Sequence, residues 1–129
     1  MELFFKRVYT IAFRLTGEKE IAAEIATKAI TNTINNINED CNEESVFKST
    51  IIELIKVFLN VPKLHCNDNL KGIQGALLKL KPIHRAVVVW KDILGFQIND
   101  NTPISEYTYD ELLKLLVYGR QDIKRWYHS

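Results

Sequence analysis

Residues 73–95 constrain the fold of this chain more than any other stretch, because two apolar stripes with helical spacing lie on either side of one proline. In each stripe the apolar residues recur at i, i+3, i+4 and i+7, the pattern of one helix face. Pro82 stands in the first turn of the second helix, where its missing N–H would be unpaired anyway. Gly95 is placed to end that helix in a left-handed conformation. The stretch predicts a helical hairpin whose apolar faces are formed by Ile73, Ala76, Leu77 and Leu80, and then by Ile83, Ala86, Val87, Trp90 and Leu94.

The remaining chain also has helical patterns. Apolar residues with helical spacing predict three helices before the hairpin, over residues 2–16, about 18–37 and about 45–60. Gly17 is placed to close the first of them. A last helix is predicted from Thr108 or slightly earlier, because Thr108 and Glu111 have the spacing of a capping box. Thr102 and Pro103 offer a rival start. No convincing alternation of apolar and polar residues predicts a strand, so the sequence predicts an all-α fold.

A polar segment after Pro62 divides the chain into two small helical units. The predicted boundaries are a three-helix unit over residues 1–61, a linker over 62–69 and a second helical unit over 70–129. The second unit is the hairpin followed by the final helix. The predicted core of the first unit is Val8, Ile11, Leu15, Ile25, Phe47, Ile51, Leu54 and Phe58. The predicted core of the second unit contains Leu77, Leu80, Val87, Trp90 and Leu116.

The composition excludes several classes of protein. A hydrophobic content of 47% is enough for a packed core, and no run of about 18 apolar residues predicts a membrane span. The first residues lack the features of a signal peptide. Cys41 and Cys66 have no metal-ligand spacing, and the adjacent His65 is interpreted as an ordinary surface residue. The prediction is a cytoplasmic protein with no metal and no other cofactor.

No arrangement of residues supports catalysis. The sequence has no nucleophile with a placed base, no phosphate-binding loop and no carboxylate pair in a recognisable frame. No catalytic residue and no enzymatic activity are therefore predicted.

The net charge of +1 is unevenly distributed. Residues 1–61 carry a net charge of −2, and residues 62–129 carry +3. Because the neutralisation of phosphates supplies much of the affinity for DNA, this small basic excess predicts only weak DNA binding by the chain alone.

The hairpin matches the pattern "ALxxLPxxxRxVxxLrdxxGxs" without a gap at Ala76, Leu77, Leu80, Arg85, Val87, Asp92 and Gly95. It thereby resembles the start of region four, the C-terminal DNA-binding domain, of bacterial sigma factors of the extracytoplasmic-function type. Lys81 occupies the position of the family's proline, and Pro82 comes one place late. The interval from Gly95 to Gly119 and Arg120 equals the family's interval from "LG" to its terminal "GR".

The first half of the chain resembles region two of the same sigma factors. Residues 12–17 are similar to the phrase "AyrlTGd", and the segment from Phe47 to Asn60 is similar to "FrxWLxxIaxNxxxD". The two halves follow the family's order. The resemblance covers most of the chain and leaves out residues 61–72.

The resemblance implies a sigma-factor-like transcription initiation protein that associates with the RNA polymerase core and directs it to promoter DNA. An anti-sigma factor or another protein partner would also fit, and no membrane partner is implied. The family's polymerase-binding positions correspond here to Ala22, Glu24, Ile25, Thr27 and Lys28. Its DNA-binding positions correspond to Phe47, Lys48, Lys56, Tyr109, Lys114, Arg120, Lys124 and Arg125.

The first half departs from the family at positions that matter for function. Thr27 stands in place of a glutamine, and Lys28 reverses the charge of a glutamate on the surface that docks on polymerase. A reversed charge that faces a complementary partner is repulsive. Thr50 replaces the tryptophan of the promoter-melting helix, which removes a surface on which an unstacked base could lie.

The second half departs from the family in its helix-turn-helix. Pro103 falls in the middle of a family helix, and Glu106 replaces the turn glycine. Asp110 and Glu111 begin the presumed recognition helix, where they repel phosphate. Residues 97–107 are therefore predicted to be irregular or to form one short turn, ahead of a long final helix.

These departures keep two other functions open. One is a degenerate sigma-like interaction module, an accessory or sequestering subunit without sequence-specific DNA binding. The other is a helical domain unrelated to transcription. Individual residues also have plain structural interpretations. Phe47 and Trp90 suit a core, Glu24 suits a solvated helix face, and Trp126 and Tyr127 suit the packing of the last helix.

Overall fold

The computed structural model describes residues 2–36, 42–61, 72–98, 104 and 107–127. Throughout this part of the chain the regular structure is helical and no strand occurs, which confirms the predicted all-α fold. The α-helices are α1 (Glu2–Thr16), α2 (Lys19–Ile34), α3 (Glu43–Leu59), α4 (Gly72–Leu78), α5 (Pro82–Val88) and α6 (Tyr109–Tyr127), and a π-helical turn (Val89–Ile93) follows α5 directly. None of the described helices is long and apolar enough to cross a membrane.

The chain forms two compact units, Met1–Pro62 and Lys63–Ser129. The predicted linker over 62–69 lies outside the described residues, as do Cys41, Cys66 and His65. Each unit has its own buried core.

Unit 1 is a bundle in which α1, α2 and α3 all contact one another. Gly17 joins α1 to α2 with a φ of 69°, a left-handed conformation that glycine adopts without steric cost. The Gly17 N–H donates to the carbonyl of Phe13 at 2.8 Å and closes α1 as predicted. Every residue of the predicted core of this unit is buried: Val8, Ile11, Leu15, Ile25, Phe47, Ile51, Leu54 and Phe58.

Two apolar residues with helical spacing in unit 1 are exposed rather than buried. Leu3 is 77% exposed and Ile34 is 49% exposed, because each lies at a helix end beyond the packed turns. Helix α2 ends at Ile34 rather than near residue 37. The hydroxyl of Thr33 donates to the backbone carbonyl of Ala29 at 2.8 Å, and the side-chain amide N–H of Asn36 donates to the backbone carbonyl of Asn32 at 2.9 Å. Such side-chain bonds compete with the regular backbone ladder and favour the end of the helix.

Helix α3 begins two residues earlier than predicted, at Glu43. Asn42 caps it, since its side-chain oxygen accepts a hydrogen bond from the Ser45 N–H at 2.8 Å. Glu43 and Glu44 then place negative charge in the first turn, where the helix dipole favours it. This end of α3 also meets α1, because the Arg7 guanidinium lies 3.5 Å from the Glu44 carboxylate.

Unit 2 contains the predicted hairpin, and α6 packs on both of its helices. Pro82 is the first residue of α5, as its fixed φ and missing donor predicted. Gly95 has a φ of 75°, which confirms the left-handed end. Gly119 permits a close approach of α6, because an added Cβ would lie 2.6 Å from Cγ2 of Val88. The predicted core residues of this unit are all buried: Leu77, Leu80, Val87, Trp90 and Leu116.

Arg85 joins the two arms of the hairpin through buried hydrogen bonds. Its Nε donates to the carbonyl of Leu77 at 2.8 Å. One terminal nitrogen donates to the carbonyls of Leu78 at 3.1 Å and Leu80 at 2.9 Å. The carbonyls of Leu77 and Leu78 belong to the last turn of α4 and that of Leu80 lies just after it, where helix acceptors lack their regular partners and the dipole favours a cation. Arg85 is only 5% exposed, so it is a structural cap on α4 rather than a surface cation.

The π-helical turn after α5 was not predicted. The Leu94 N–H donates to the carbonyl of Val89 at 2.9 Å, which is the wider i to i+5 pairing of a π-helix. Trp90 lies in this turn with no exposed surface. Its indole N–H donates to the carbonyl of Gln97 at 3.0 Å, and its ring meets that of Phe96 at a centroid distance of 4.8 Å. Trp90 therefore connects the end of the hairpin to the chain that leaves it.

The segment over 97–107 is non-helical wherever it is described. Gln97, Ile98, Ile104 and Tyr107 are outside any helix, and Ile98 and Ile104 are buried. Residues 99–103 and 105–106 lie outside the described residues, so the expected effects of Pro103 and Glu106 stay predictions.

The capping box at the start of α6 is confirmed. The Thr108 N–H donates to the Glu111 carboxylate at 3.0 Å, and the Glu111 N–H donates to the Thr108 hydroxyl at 3.2 Å.

Candidate functional site

The predicted polymerase-binding residues lie on α2, and they divide between its inner and outer faces. Ala22 and Ile25 are buried in the core of unit 1, with exposed fractions of 0% and 3%. Glu24, Thr27 and Lys28 are exposed on the opposite side. The Thr27 hydroxyl donates to the carbonyl of Ala23 within the helix at 2.8 Å. A partner of α2 would therefore meet the two charges, Glu24 and Lys28, while Ala22 and Ile25 hold the helix in place.

The predicted DNA-binding residues of α3 do not form an open aromatic surface. Phe47 is 6% exposed, and its ring meets the edge of Phe4 at a centroid distance of 6.3 Å. The Arg7 guanidinium lies 4.0 Å from the centre of the Phe47 ring. Thr50 is also buried, with its hydroxyl bonded to the carbonyl of Val46 at 2.8 Å. Phe47 is a core residue, in agreement with its plain structural interpretation.

The lysines of α3 differ in their surroundings. Lys48 is half-buried, whereas Lys56 is exposed. The Lys56 ammonium lies 3.9 Å from the Glu53 carboxylate one helical turn away. Such an exposed ion pair contributes little stability, so Lys56 remains able to contact a phosphate.

Helix α6 carries five of the predicted DNA-binding residues. Tyr109 is 54% exposed at its start, and Lys114, Lys124 and Arg125 are exposed further along. Lys114 and Arg125 lie on one stripe of the helix, since they are eleven residues apart. The structure therefore brings these basic side chains onto the outward side of one helix.

The first turn of α6 is acidic and unsuited to phosphate. Asp110 and Glu111 are both exposed there. Hydrogen bonds from Thr108, first from its backbone N–H and then through its side chain, lower the pKa of Glu111. The Glu111 carboxylate is consequently charged at neutral pH, at the end of the helix where a phosphate would otherwise bind.

Arg120 is paired within unit 2. Its Nε donates to one carboxylate oxygen of Asp92 at 2.8 Å, and a terminal nitrogen donates to the other oxygen. This two-bond geometry is the strongest form of a contact between arginine and a carboxylate. The hydrogen bond to Asp92 also raises the pKa of Arg120. Arg120 would have to leave Asp92 before it could bind a phosphate.

The sequence did not predict that Asp92 pairs with Arg120 or that Arg7 covers Phe47. Asp92 and Arg120 both belong to the family pattern, but they are separated by 28 residues and nothing in the spacing connects them.

Trp126 is 38% exposed, and the Lys79 ammonium lies 4.3 Å from the centre of its ring. This contact joins α6 to the end of α4 and agrees with a packing role for Trp126.

No group of three or more His, Cys, Asp and Glu side chains that could hold a metal ion occurs among the described residues. No protein-family model matches the chain. No curated protein matches it either.

We expect His84 to make the stability of unit 2 sensitive to pH. Burial of the imidazole, followed by repulsion from Lys81, lowers its pKa below 6.5, and attraction to Asp122 opposes the shift only in part. A histidine with a lowered pKa stabilises the fold above its unfolded-state pKa, and this contribution is lost as the pH falls through the folded-state pKa. We therefore expect acidification from about pH 7.5 to about pH 5.5 to lower the urea midpoint of unit 2.

Both tryptophans belong to unit 2, so tryptophan fluorescence reports on that unit. His84→Gln should make the urea midpoint less dependent on pH over the same range. If the pH dependence is the same in the variant and the unmodified protein, His84 is not its source.

Proposed function

We propose that this protein is a sigma-factor-like transcription initiation protein that associates with the RNA polymerase core and directs it to promoters. The observation that supports the proposal is the order of the matching phrases along the chain. The phrases similar to region two fall within the three-helix unit, and those similar to region four fall in the hairpin and in the middle of α6. Cytoplasmic location and an absence of catalysis belong to the same proposal.

The surface proposed for polymerase is the outer face of α2. Glu24 and Lys28 are exposed there on adjacent helical turns, while Ala22 and Ile25 fix the helix against α1 and α3. In this proposal Glu24 retains the attractive charge of the family, and Lys28 weakens the contact because it reverses a charge. The result is a sigma-like protein whose affinity for the core polymerase is lower than that of a typical family member.

A second candidate function is a sigma-like interaction module, an accessory or sequestering subunit without sequence-specific DNA binding. Three observations favour it. Phe47 is buried under Arg7, Thr50 is buried where the family has a tryptophan, and Arg120 is paired with Asp92. Each removes a side chain that DNA reading would use. Both candidates dock on their partner through α2. They differ in whether unit 2 then binds promoter DNA.

One experiment with two steps tests both candidates. The first step measures binding of the full chain to purified bacterial RNA polymerase core. Glu24→Lys should weaken binding by at least about tenfold, because an attractive charge becomes repulsive at the interface. Lys28→Glu should tighten binding, since it restores the family's charge. Lys6→Glu, an equal charge change on an exposed residue of α1, should have little effect. Absence of core binding, or equal effects of all three variants, would contradict the proposal.

The second step adds promoter-like duplex DNA at two salt concentrations. Because few phosphates are neutralised, the chain alone should bind DNA weakly and with little sequence preference. Its affinity should also depend little on salt, since the slope of the logarithm of the binding constant against the logarithm of the salt concentration is roughly 0.9 per phosphate contact. Asp110→Ser is the cleaner probe of the α6 start, because Glu111 is needed by the cap on α6. Tighter DNA binding by this variant would place α6 near phosphates and support the first candidate. No sequence-selective binding with or without polymerase would support the second.

A further inference from the structure

Helix α6 has an outward stripe whose charges reverse in sign from one end to the other. The stripe consists of Asp110, Lys114, Val117, Gln121 and Arg125, which follow one another at intervals of 4, 3, 4 and 4 residues. This spacing keeps all five on one side of a helix. All are exposed, and the buried side of α6 faces the opposite way, toward α4 and α5. The stripe is therefore a surface of unit 2 that the described residues leave uncovered.

The stripe is complementary to itself when two copies run in opposite directions. Reversing the helix about a point between Val117 and Tyr118 places Asp110 opposite Arg125 and Lys114 opposite Gln121. Asp110 and Arg125 are fifteen residues apart, which is about 22 Å along a helix. A twofold axis would repeat the Asp110–Arg125 pair at both ends of the contact, as a symmetric interface requires.

An apolar residue, Val117, lies at the centre of the stripe, and Tyr118 lies beside it. Val117 is 49% exposed and Tyr118 is 55% exposed, and they flank the same point about which the charges reverse. In the antiparallel pair Val117 of one copy would lie against Tyr118 of the other. Aromatic and aliphatic residues at the centre with charged residues around them are the usual arrangement of a protein interface.

The helix dipole alone explains only part of this pattern. Acids in the first turn and bases in the last turn stabilise any helix, so Asp110 and Arg125 would be favourable in a monomer too. The dipole gives no reason for Val117 to be exposed midway between the charged ends, and the neighbouring Tyr118 remains 55% exposed although its ring contacts the His84 imidazole at a centroid distance of 6.5 Å. The dipole also favours the antiparallel contact, because the positive end of each helix would lie beside the negative end of the other.

We propose that two copies of this chain associate through their α6 stripes, antiparallel and about a twofold axis near Val117 and Tyr118. The proposal stands apart from the sigma-like function, since it uses only the charges and exposure of α6. A single helix pair is a small interface, so the dimer is weak, with a Kd on the order of tens of micromolar. In the dimer Arg125 and Lys114 are covered, so association competes with any contact of these residues with phosphate.

Charge exchange with the full chain tests the proposal. Asp110→Lys alone places a lysine against Arg125 at both ends of the contact, and Arg125→Asp alone places an aspartate against Asp110. Each variant should therefore dimerise at least about tenfold more weakly than the unmodified chain. A mixture of the two variants should form a heterodimer. At one end of the contact the unmodified Arg125 of the first variant meets the unmodified Asp110 of the second. At the other end the introduced lysine meets the introduced aspartate, so both ends pair opposite charges. The double variant should dimerise by itself.

Sedimentation equilibrium between about 5 and about 500 µM protein measures these affinities, with the lower range chosen below the expected Kd. Raising the salt concentration from about 50 to about 500 mM should weaken the unmodified dimer. Val117→Asp, which places like charges near the twofold axis, should also weaken it. Glu20→Lys, a charge change of the same size on an exposed residue of α2, should leave association unchanged. Thermal unfolding confirms that the exposed substitutions leave the fold intact.

Recovery of association in the mixture supports the proposed register, because a general loss of structure could not produce it. A monomeric unmodified chain at the highest concentration overturns the proposal. So does a dimer that is indifferent to Asp110→Lys, to Arg125→Asp and to Val117→Asp.

Discussion

Replacement of Arg85 by methionine should lower the free energy of unfolding of unit 2 by about 2–4 kcal/mol, because the carbonyls of Leu78 and Leu80 lose the guanidinium donor and the carbonyl of Leu77 keeps only the Leu80 N–H. Methionine keeps much of the apolar stem, so the loss reports chiefly on the hydrogen bonds to Leu77, Leu78 and Leu80. Arg85→Lys should be intermediate, since one ammonium group cannot reproduce the fixed geometry of a guanidinium that reaches three acceptors. Urea unfolding followed by tryptophan fluorescence measures both variants.

Lys81→Met is the matched control for this prediction. Lys81 lies in the same α4–α5 turn, carries the same charge and is exposed, and its side chain makes no cap hydrogen bond. Its replacement should change the free energy of unfolding by less than about 0.5 kcal/mol. Equal effects at Arg85 and Lys81 would mean that loss of charge in the turn, rather than loss of buried hydrogen bonds, controls stability.

The backbone of the hairpin could be predicted because a few residues have a strong local effect. Pro82 has only one helical position where its missing donor costs little, and Gly95 can take the left-handed conformation that ends the hairpin. Thr108 and Glu111 satisfy each other's backbone donors within one turn. These preferences depend on neighbours in sequence, so the sequence contains nearly all the information that they need.

The role of Arg85 could not be predicted in the same way. The family pattern has an arginine at this position, but a side chain of that length can point to solvent or fold back on the preceding helix. It folds back here, onto carbonyls that are five, seven and eight residues earlier in the chain. That outcome depends on how α4 and α5 pack together with α6, which contacts both helices, and no local sequence pattern contains this information.

The π-helical turn gave no signal in the sequence either. The run Val87, Val88 and Val89 is β-branched and would suit a strand, but its flanks correctly favour a helix. An i to i+5 pairing needs one extra residue in a turn, and residue types do not mark where that happens. The burial of Trp90 was predicted correctly, whereas its hydrogen bond to the Gln97 carbonyl was not.

The sequence predicted which helix faces are exposed at the candidate site better than it predicted which side chains there are free to bind a partner. The exposed face of α2 and the outward side of α6 follow from helical spacing. Whether a charged side chain is already paired depends on contacts across the fold, as with Arg120 and Asp92. The role of Phe47 also depends on contacts across the fold, because an aromatic residue at a given helix position can stack on a base or belong to the core. In unit 1 the approach of α1, with Phe4 and Arg7, places it in the core.

Replacement of Trp90 by alanine is expected to destabilise unit 2 by about 3–5 kcal/mol, since a fully buried aromatic side chain leaves a cavity that its neighbours only partly fill. Trp90→Phe should cost less, about 1–2 kcal/mol, because a ring is retained while the Gln97 carbonyl loses its donor. Trp126 remains as the fluorescent reporter in both variants, and urea unfolding gives the free energies.

Trp126→Phe separates the structural role of Trp90 from a general effect of losing a tryptophan. Trp126 is partly exposed and contacts Lys79 through its ring, an interaction that contributes about 0.5–1 kcal/mol at a surface. A phenylalanine ring retains part of that contact, so the cost should stay below about 1 kcal/mol. Trp90 is then the only reporter, and its emission should shift to longer wavelength on unfolding as the indole moves from the core to water.

Were Trp126→Phe as costly as Trp90→Ala, the end of α6 rather than the π-helical turn would hold unit 2 together. The opposite ranking is expected because Trp90 packs on Phe96 and bonds to Gln97 within the core, whereas Trp126 makes its described contact at the surface.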